Sequence, residues 1–312
     1  MNNVTIGLSW CLLFVTLEAV QAVYFGATFQ RVDSFLVAVA VFGTTTALSL
    51  AATLIRRPRE LAAAFRSPGI LAIMNVSAAI AWITYFLSIQ LVEPAVVFAV
   101  FSGCVPLATV AASKRGMREA GSGCNRMAAA GMCLIALSIG WLATITLAGE
   151  SGFLRGGLGH GVAGIALAAL SGTLTAVIVL YSTRLNARGV GPLAQFGLRF
   201  LLYVPICGIG LWLGVDDKGV ETGAGDLAVI WLIGLIAIAL PLYAVQRAVP
   251  LVSATVIAAF TALGPVAAFG LQVFDARVAY APMTLCGLTI YMFGALVAAL
   301  GSIGRVRLKG AS

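Results

Sequence analysis

The chain has 312 residues, of which 61% are hydrophobic and 10% charged, with a mean hydropathy of +1.05 and a formal net charge of +8. Soluble domains carry roughly a quarter charged residues, so this composition excludes a water-soluble enzyme or binding module and predicts an all-α polytopic membrane protein. Its basic residues lie in short loops and form no basic face interleaved with aromatics, which argues against a nucleic-acid partner.

A bilayer core of ~30 Å takes about 20 apolar residues per helix, and by that measure the chain predicts ten spans. They fall at 4–26, 34–55, 68–90, 94–112, 127–148, 161–183, 193–214, 226–247, 250–273 and 281–303. The first ends in Val20-Gln21-Ala22, which superficially fits a signal-peptidase site. No positive region precedes it and Glu18 interrupts the apolar run, so it reads as a retained helix. A carboxylate there costs at least ~2.5 to 3.5 kcal/mol if it faces lipid, so Glu18 must face the bundle interior. At 1.5 Å per residue it lies about 20 Å along the helix, slightly past mid-membrane. Gln21 and Phe25, at i+3 and i+7, share its face. Glu18 reads as a contact for substrate or proton, the alternative being a structural hydrogen bond.

In the third span Asn75, Ala79, Trp82 and Tyr85 recur at helical spacing, and in the fourth Phe98, Phe101 and Ser102 do so. Such stripes serve packing or line a cavity. Because helix contacts in membranes favour small residues, Trp82, Tyr85, Phe101 and, in the eighth span, Tyr243 are candidates for cavity lining, with Asn75 as a polar contact. Pro106 and Pro265 each remove a backbone donor within a helix and mark a hinge or a static bend. Arg199, about 9 Å into the seventh span, reads as an anchor whose head reaches water or helix-end carbonyls. His160 falls at the edge of the sixth span. Gly287, Gly294 and Gly301 make a seven-residue stripe on the tenth, and Gly131 and Gly140 lighten the fifth. Both point to close helix packing, within the monomer or across a homodimer.

Charge sets the expected orientation. With the N-terminus inside, Arg56, Arg57, Arg59, Arg66, Lys114, Arg115, Arg118, Arg126, Arg184, Arg188, Arg247, Arg305, Arg307 and Lys309 are cytoplasmic, against Arg31, Arg155, Lys218 and Arg277 outside. The chain also repeats. The stretch 95–108, AVVFAVFSGCVPLA, returns as ATVIAAFTALGPVA at 254–267, and 7–24 matches 164–181 at nearly the same shift. Two homologous halves are implied, 1–150 and 151–312. Five helices per half is an odd number, so the second half enters the membrane inverted, an arrangement that places substrate near the midplane between the halves.

Nothing signals catalysis: there is no Walker A, HExxH, GxSxG or pair of aspartate-rich loops. Cys11, Cys104, Cys133, Cys207 and Cys286 sit in apolar runs and Cys124 in a basic loop, without a CxxC pair or a Cys/His cluster, so neither a metal nor a cofactor is expected.

Ten spans in two inverted halves, each with a proline-bearing fourth helix (95–108 with Pro106, 254–267 with Pro265) and with Gly131 and Gly287 in the fifth and tenth, resemble the EamA-type exporters of the drug/metabolite transporter superfamily. Members of that family often follow the proline-bearing helix with Gly-Glu, whereas this chain reads Lys114-Arg115-Gly116 and Asp275-Ala276-Arg277. The resemblance implies a secondary transporter of the bacterial inner membrane, exporting a small metabolite or amphipathic compound, with proton antiport through Glu18 by analogy with small multidrug transporters. Amino acids and their derivatives, small metal chelators and cationic drugs are the candidate substrates. The rival classes are an integral membrane enzyme acting on a lipid or prenyl substrate and a non-transporting membrane subunit.

Overall fold

The computed structural model describes residues 3–117, 125–219, 222–248, 251–252 and 254–309. Arg118 and Cys124, named above, lie outside these residues. The described chain is helical, and a single antiparallel bridge between Val92 and Leu154 is its one extended pairing.

The helices are α1 (Asn3–Thr28), α2 (Ser34–Arg56), α3 (Pro58–Phe65), α4 (Pro68–Leu91), α5 (Pro94–Lys114), α6 (Arg126–Leu147), α7 (Leu158–Ala187), α8 (Pro192–Leu198), α9 (Tyr203–Trp212), α10 (Ala224–Gly234), α11 (Leu240–Ala248), α12 (Ala254–Leu271) and α13 (Pro282–Lys309). Prolines open α3, α4, α5 and α8, where the missing N–H would be unpaired anyway. Asp33 caps α2 by accepting from Phe35 N at 2.7 Å, and Asn125 caps α6 by accepting from Ala128 N at 2.7 Å.

Among the described residues eight helical stretches are long and apolar enough to cross a bilayer, α8 and α9 together forming one of them. The chain is therefore a multi-pass membrane protein. The stretches 224–239 and 260–274, in the expected eighth and ninth spans, are shorter. In the eighth, α10 runs into a π-helical turn at Leu235–Ala239 and then into α11, which is far less apolar. Pro241 explains the turn, since its ring would clash with the carbonyl four residues back and a wider turn relieves it.

Two kinds of packing hold the bundle. Small residues bring helix pairs into backbone contact: a Cβ on Gly131 would lie 2.3 Å from Ala298 N, and one on Gly172 would lie 2.1 Å from Phe101 O. The stripe Gly287, Gly294, Gly301 is thus used inside the chain, where α13 lies against α6, while Gly140 faces open space. Elsewhere the core is aromatic. Phe25, Phe29, Phe42, Phe86, Phe200 and Tyr203 are fully buried and meet edge to face or stacked, with centroids from 4.7 Å apart between α1, α2, α4 and the segment 200–203 that leads into α9.

Candidate functional site

A cavity of about 280 Å³ opens where α1, α4, α5 and α7 meet the end of α8 and the π-turn. Phe14, Glu18 and Gln21 reach it from α1, Ala81, Trp82 and Tyr85 from α4, and Phe98 and Phe101 from α5. Ser171, Thr175, Ile178 and Val179 close it from α7, and Arg199, Ile238 and Pro241 complete the wall. Helical spacing is what aligns these groups: Phe14, Glu18 and Gln21 succeed one another at four and three residues, as do Ser171, Thr175 and Ile178.

Of the residues singled out in the sequence, Glu18, Gln21, Trp82, Tyr85 and Phe101 share this one cavity. Tyr85 lies between its neighbours, edge-on to Trp82 at 6.2 Å and tilted against Phe101 at 5.1 Å by ring centroid. Asn75 and Tyr243 lie elsewhere. Tyr243 is 52% exposed, packs edge-on to Trp10 at 5.8 Å, and lines a second cavity of about 420 Å³ with Arg56, Arg57, Glu60 and Phe196. Pro106 and Pro265 lie within the unbroken helices α5 and α12 and line neither cavity.

Arg199, expected from sequence to be an anchor, lines the same cavity. It closes α8, its guanidinium lies 5.9 Å from the ring centroids of both Phe196 and Phe200, and its Nε is buried with no hydrogen-bond partner. Among the described residues neither Glu18 nor Gln21 has a hydrogen-bond partner, and no ion pair joins Glu18 to Arg199. A carboxylate and a guanidinium thus face one small, largely apolar space without neutralising each other. Burial of unpaired charge is costly, so the arrangement suits a solute or proton that arrives to complete it.

Asn75 is buried and does its bonding in the backbone. It donates to Leu198 O at 2.9 Å and Leu71 O at 3.0 Å, and accepts from Leu202 N at 3.0 Å.

At the far end of the bundle from Arg56, a polar knot ties together segments distant in sequence. The fully buried Glu93 accepts from Gln272 Nε2 at 2.7 Å, Gly152 N at 2.8 Å and Thr284 Oγ1 at 2.9 Å. Gln272 in turn accepts from Ala95 N at 2.9 Å, which fixes the orientation of its amide. Nearby, Asp216 pairs with Lys218 and accepts from the Ser34 hydroxyl at 2.6 Å.

Burial pushes the Glu93 carboxyl above the usual carboxylate range, against the opposing pull of its three hydrogen bonds. The folded protein therefore holds this proton more tightly than the unfolded chain does. Its contribution to stability is greatest in acid and falls as pH rises from the unfolded value of about 4.3 towards the raised folded one. Glu93→Gln deletes the titration and forces an amide donor against one of three donors, at about 1 to 3 kcal/mol. The variant should melt below the wild type, and the gap should narrow as pH rises. A gap that widens with pH in thermal scans of the purified protein contradicts the assigned shift.

No protein-family model and no curated protein matches the chain. One solved structure, whose description names no activity, aligns with it at a TM-score of 0.59 and 18% identity, over 96% of each chain. At that identity the likeness speaks to the fold alone.

Proposed function

We propose that the protein is a secondary transporter whose substrate occupies the cavity between Glu18 and Arg199. The observation that carries this reading is a carboxylate without a protein partner facing a cavity inside a membrane bundle, since intramembrane ionisable groups mark substrate and ion pathways. Arg199 narrows the candidate substrates. A purely cationic drug would meet a guanidinium, whereas a small amphipathic solute with both an amine and an acid group, such as an amino-acid derivative, satisfies both poles and lays its apolar body on Trp82, Tyr85 and Phe101.

The same reading takes the stretches around α10–α11 and α12 as the eighth and ninth of ten spans, with halves 1–150 and 151–312 as inverted repeats of the EamA exporter type. The cavity wall supports it. Phe14, Glu18 and Gln21 correspond to Ser171, Thr175 and Ile178 at the shift that aligns 7–24 with 164–181, and all six line the cavity. Corresponding faces of α1 and α7 therefore meet at one space, as expected of a site between repeats.

The proposed setting is the bacterial inner membrane with both termini in the cytoplasm. Reporter fusions after Lys114 and Ser312 should read cytoplasmic, and fusions near Asp217 periplasmic; a periplasmic C-terminus removes the inverted-repeat account. Transport is tested by comparing solutes inside and outside cells with and without the protein. Small molecules carrying both an amine and an acid should move outward when it is expressed, and an unchanged solute profile counts against transport.

A further inference from the structure

We infer that Asn75 is a positioning residue, built into the backbone of the broken seventh span so that Arg199 is held facing the cavity. The functional meaning of this rests on the transport reading, although the geometry and its test do not.

In an unbroken α-helix the Leu202 N–H would donate to the Leu198 carbonyl four residues back. Here α8 ends at Leu198 and α9 resumes at Tyr203, and the side chain of Asn75 stands between the two separated groups. Its Oδ1 accepts from Leu202 N at 3.0 Å, and its Nδ2 donates to Leu198 O at 2.9 Å. The amide thus replaces the missing rung of the helix with two hydrogen bonds. The second hydrogen on Nδ2 goes to Leu71 O at 3.0 Å, one turn back on Asn75's own helix, which fixes the amide in place.

Local sequence explains why the ladder is open here. Pro205 has no N–H to give the Leu201 carbonyl, and its ring would strike that carbonyl in a regular helix. Within a bilayer, freed backbone groups must find partners in the protein, and a side chain inserted into the ladder is a recognised cause of a sharp kink. Only an amide of this length can supply one acceptor and two donors here. Leucine supplies none, serine a single hydroxyl, and an ionised aspartate no donor at all.

Arg199 stands at the first position of the break. Its Nε is buried without a partner among the described residues, and its guanidinium lies 5.9 Å from the ring centroids of Phe196 and Phe200. No ion pair among the described residues aims it. Its direction is therefore set by the backbone path from 198 to 202, which Asn75 fixes.

The test uses the full chain, purified and folded, treated with phenylglyoxal, which modifies guanidinium groups that water reaches. Peptide mass spectrometry then follows Arg199, with exposed Arg57 as the standard for reagent and Arg277, whose two terminal guanidinium nitrogens are buried, as the monitor of general loosening. In the wild type Arg199 should be modified, because it faces the cavity. In Asn75→Leu its rate should change at least fivefold while Arg57 and Arg277 keep theirs, and Asn75→Ser should show a smaller change in the same direction. An Arg199 that resists the reagent in the wild type overturns the proposal, as does an unchanged rate in a folded Asn75→Leu, or a change that Arg277 shares. If neither variant folds, Asn75 belongs to assembly of the bundle and the positioning role is wrong. No transported solute enters the measurement, so it can fail while the transport reading stands, and the solute profile can fail while Arg199 responds as expected.

Discussion

Glu18→Gln should reduce pH-driven transport in proteoliposomes to the level of empty vesicles while the protein folds and expresses as the wild type does. The expectation rests on the surroundings of the carboxylate. Phe14, Trp82, Tyr85, Phe98 and Phe101 make most of the nearby wall apolar, and no protein group among the described residues bonds to it. An ionised carboxylate left unpaired in such a space is strongly disfavoured, so each closure of the cavity should carry either a proton or the cationic group of a solute on Glu18. Glutamine preserves the shape and much of the hydrogen bonding of the neutral acid but cannot release a proton or carry the negative charge that would pair with a cation. If a proton is the partner, the variant loses the response to an imposed pH gradient. If the solute's amine is the partner, solute exchange without a gradient falls as well. Wild-type rates with an unchanged pH dependence would remove both roles and make Glu18 a buried structural group.

The features legible in the sequence are those that depend on depth and periodicity along one helix. Glu18 and Gln21 are placed by their distance into a single apolar run, and Trp82, Tyr85 and Phe101 by helical spacing. The features that escape depend on how a helix departs from regularity. Counting along a straight seventh span gives Arg199 a shallow depth, but that span breaks after Leu198 and its end delivers the guanidinium to the cavity. Pro205 is the available signal. Asn75 shares a stripe with Trp82, and periodicity identifies the face without saying that its near end meets a neighbouring backbone while its far end meets open space. Tyr243 faces another cavity, because the π-turn ahead of Pro241 shifts the register of the residues after it. Pro106 and Pro265 stand out as a matched pair, whereas the irregular backbone lies beside Pro205 and Pro241.

Gly131→Leu should abolish folding, the largest stability effect expected in the chain. A Cβ at this position would stand 2.3 Å from Ala298 N and 2.6 Å from Gly294 O, and both are backbone atoms of α13 that no rotamer change can move aside. The contact continues along the pair. A Cβ on Gly301 would lie 2.4 Å from Ala128 N, and one on Gly294 would lie 2.8 Å from Ile135 N. Side chains bond across at the same close range, Asn125 to Gly301 O at 2.6 Å, Ser138 to Gly287 O at 2.8 Å and Trp141 to Met283 O at 3.1 Å. Helices in a membrane have little hydrophobic drive to associate and depend on such contacts, so forcing α13 away from α6 removes them together. Overpacking in a core that can adjust costs about 1 to 3 kcal/mol; here the obstacle is a second backbone, and Gly131→Ala alone should lower the melting temperature clearly. Gly140→Leu is the matched control on the same helix, since a Cβ there meets nothing within 4 Å and the side chain should be tolerated. Detergent-solubilised protein run on size exclusion and then melted reads both variants. A Gly131→Leu protein that elutes and melts like Gly140→Leu would mean that α6 and α13 do not approach as described, and the glycine stripe would then be free to serve a homodimer face.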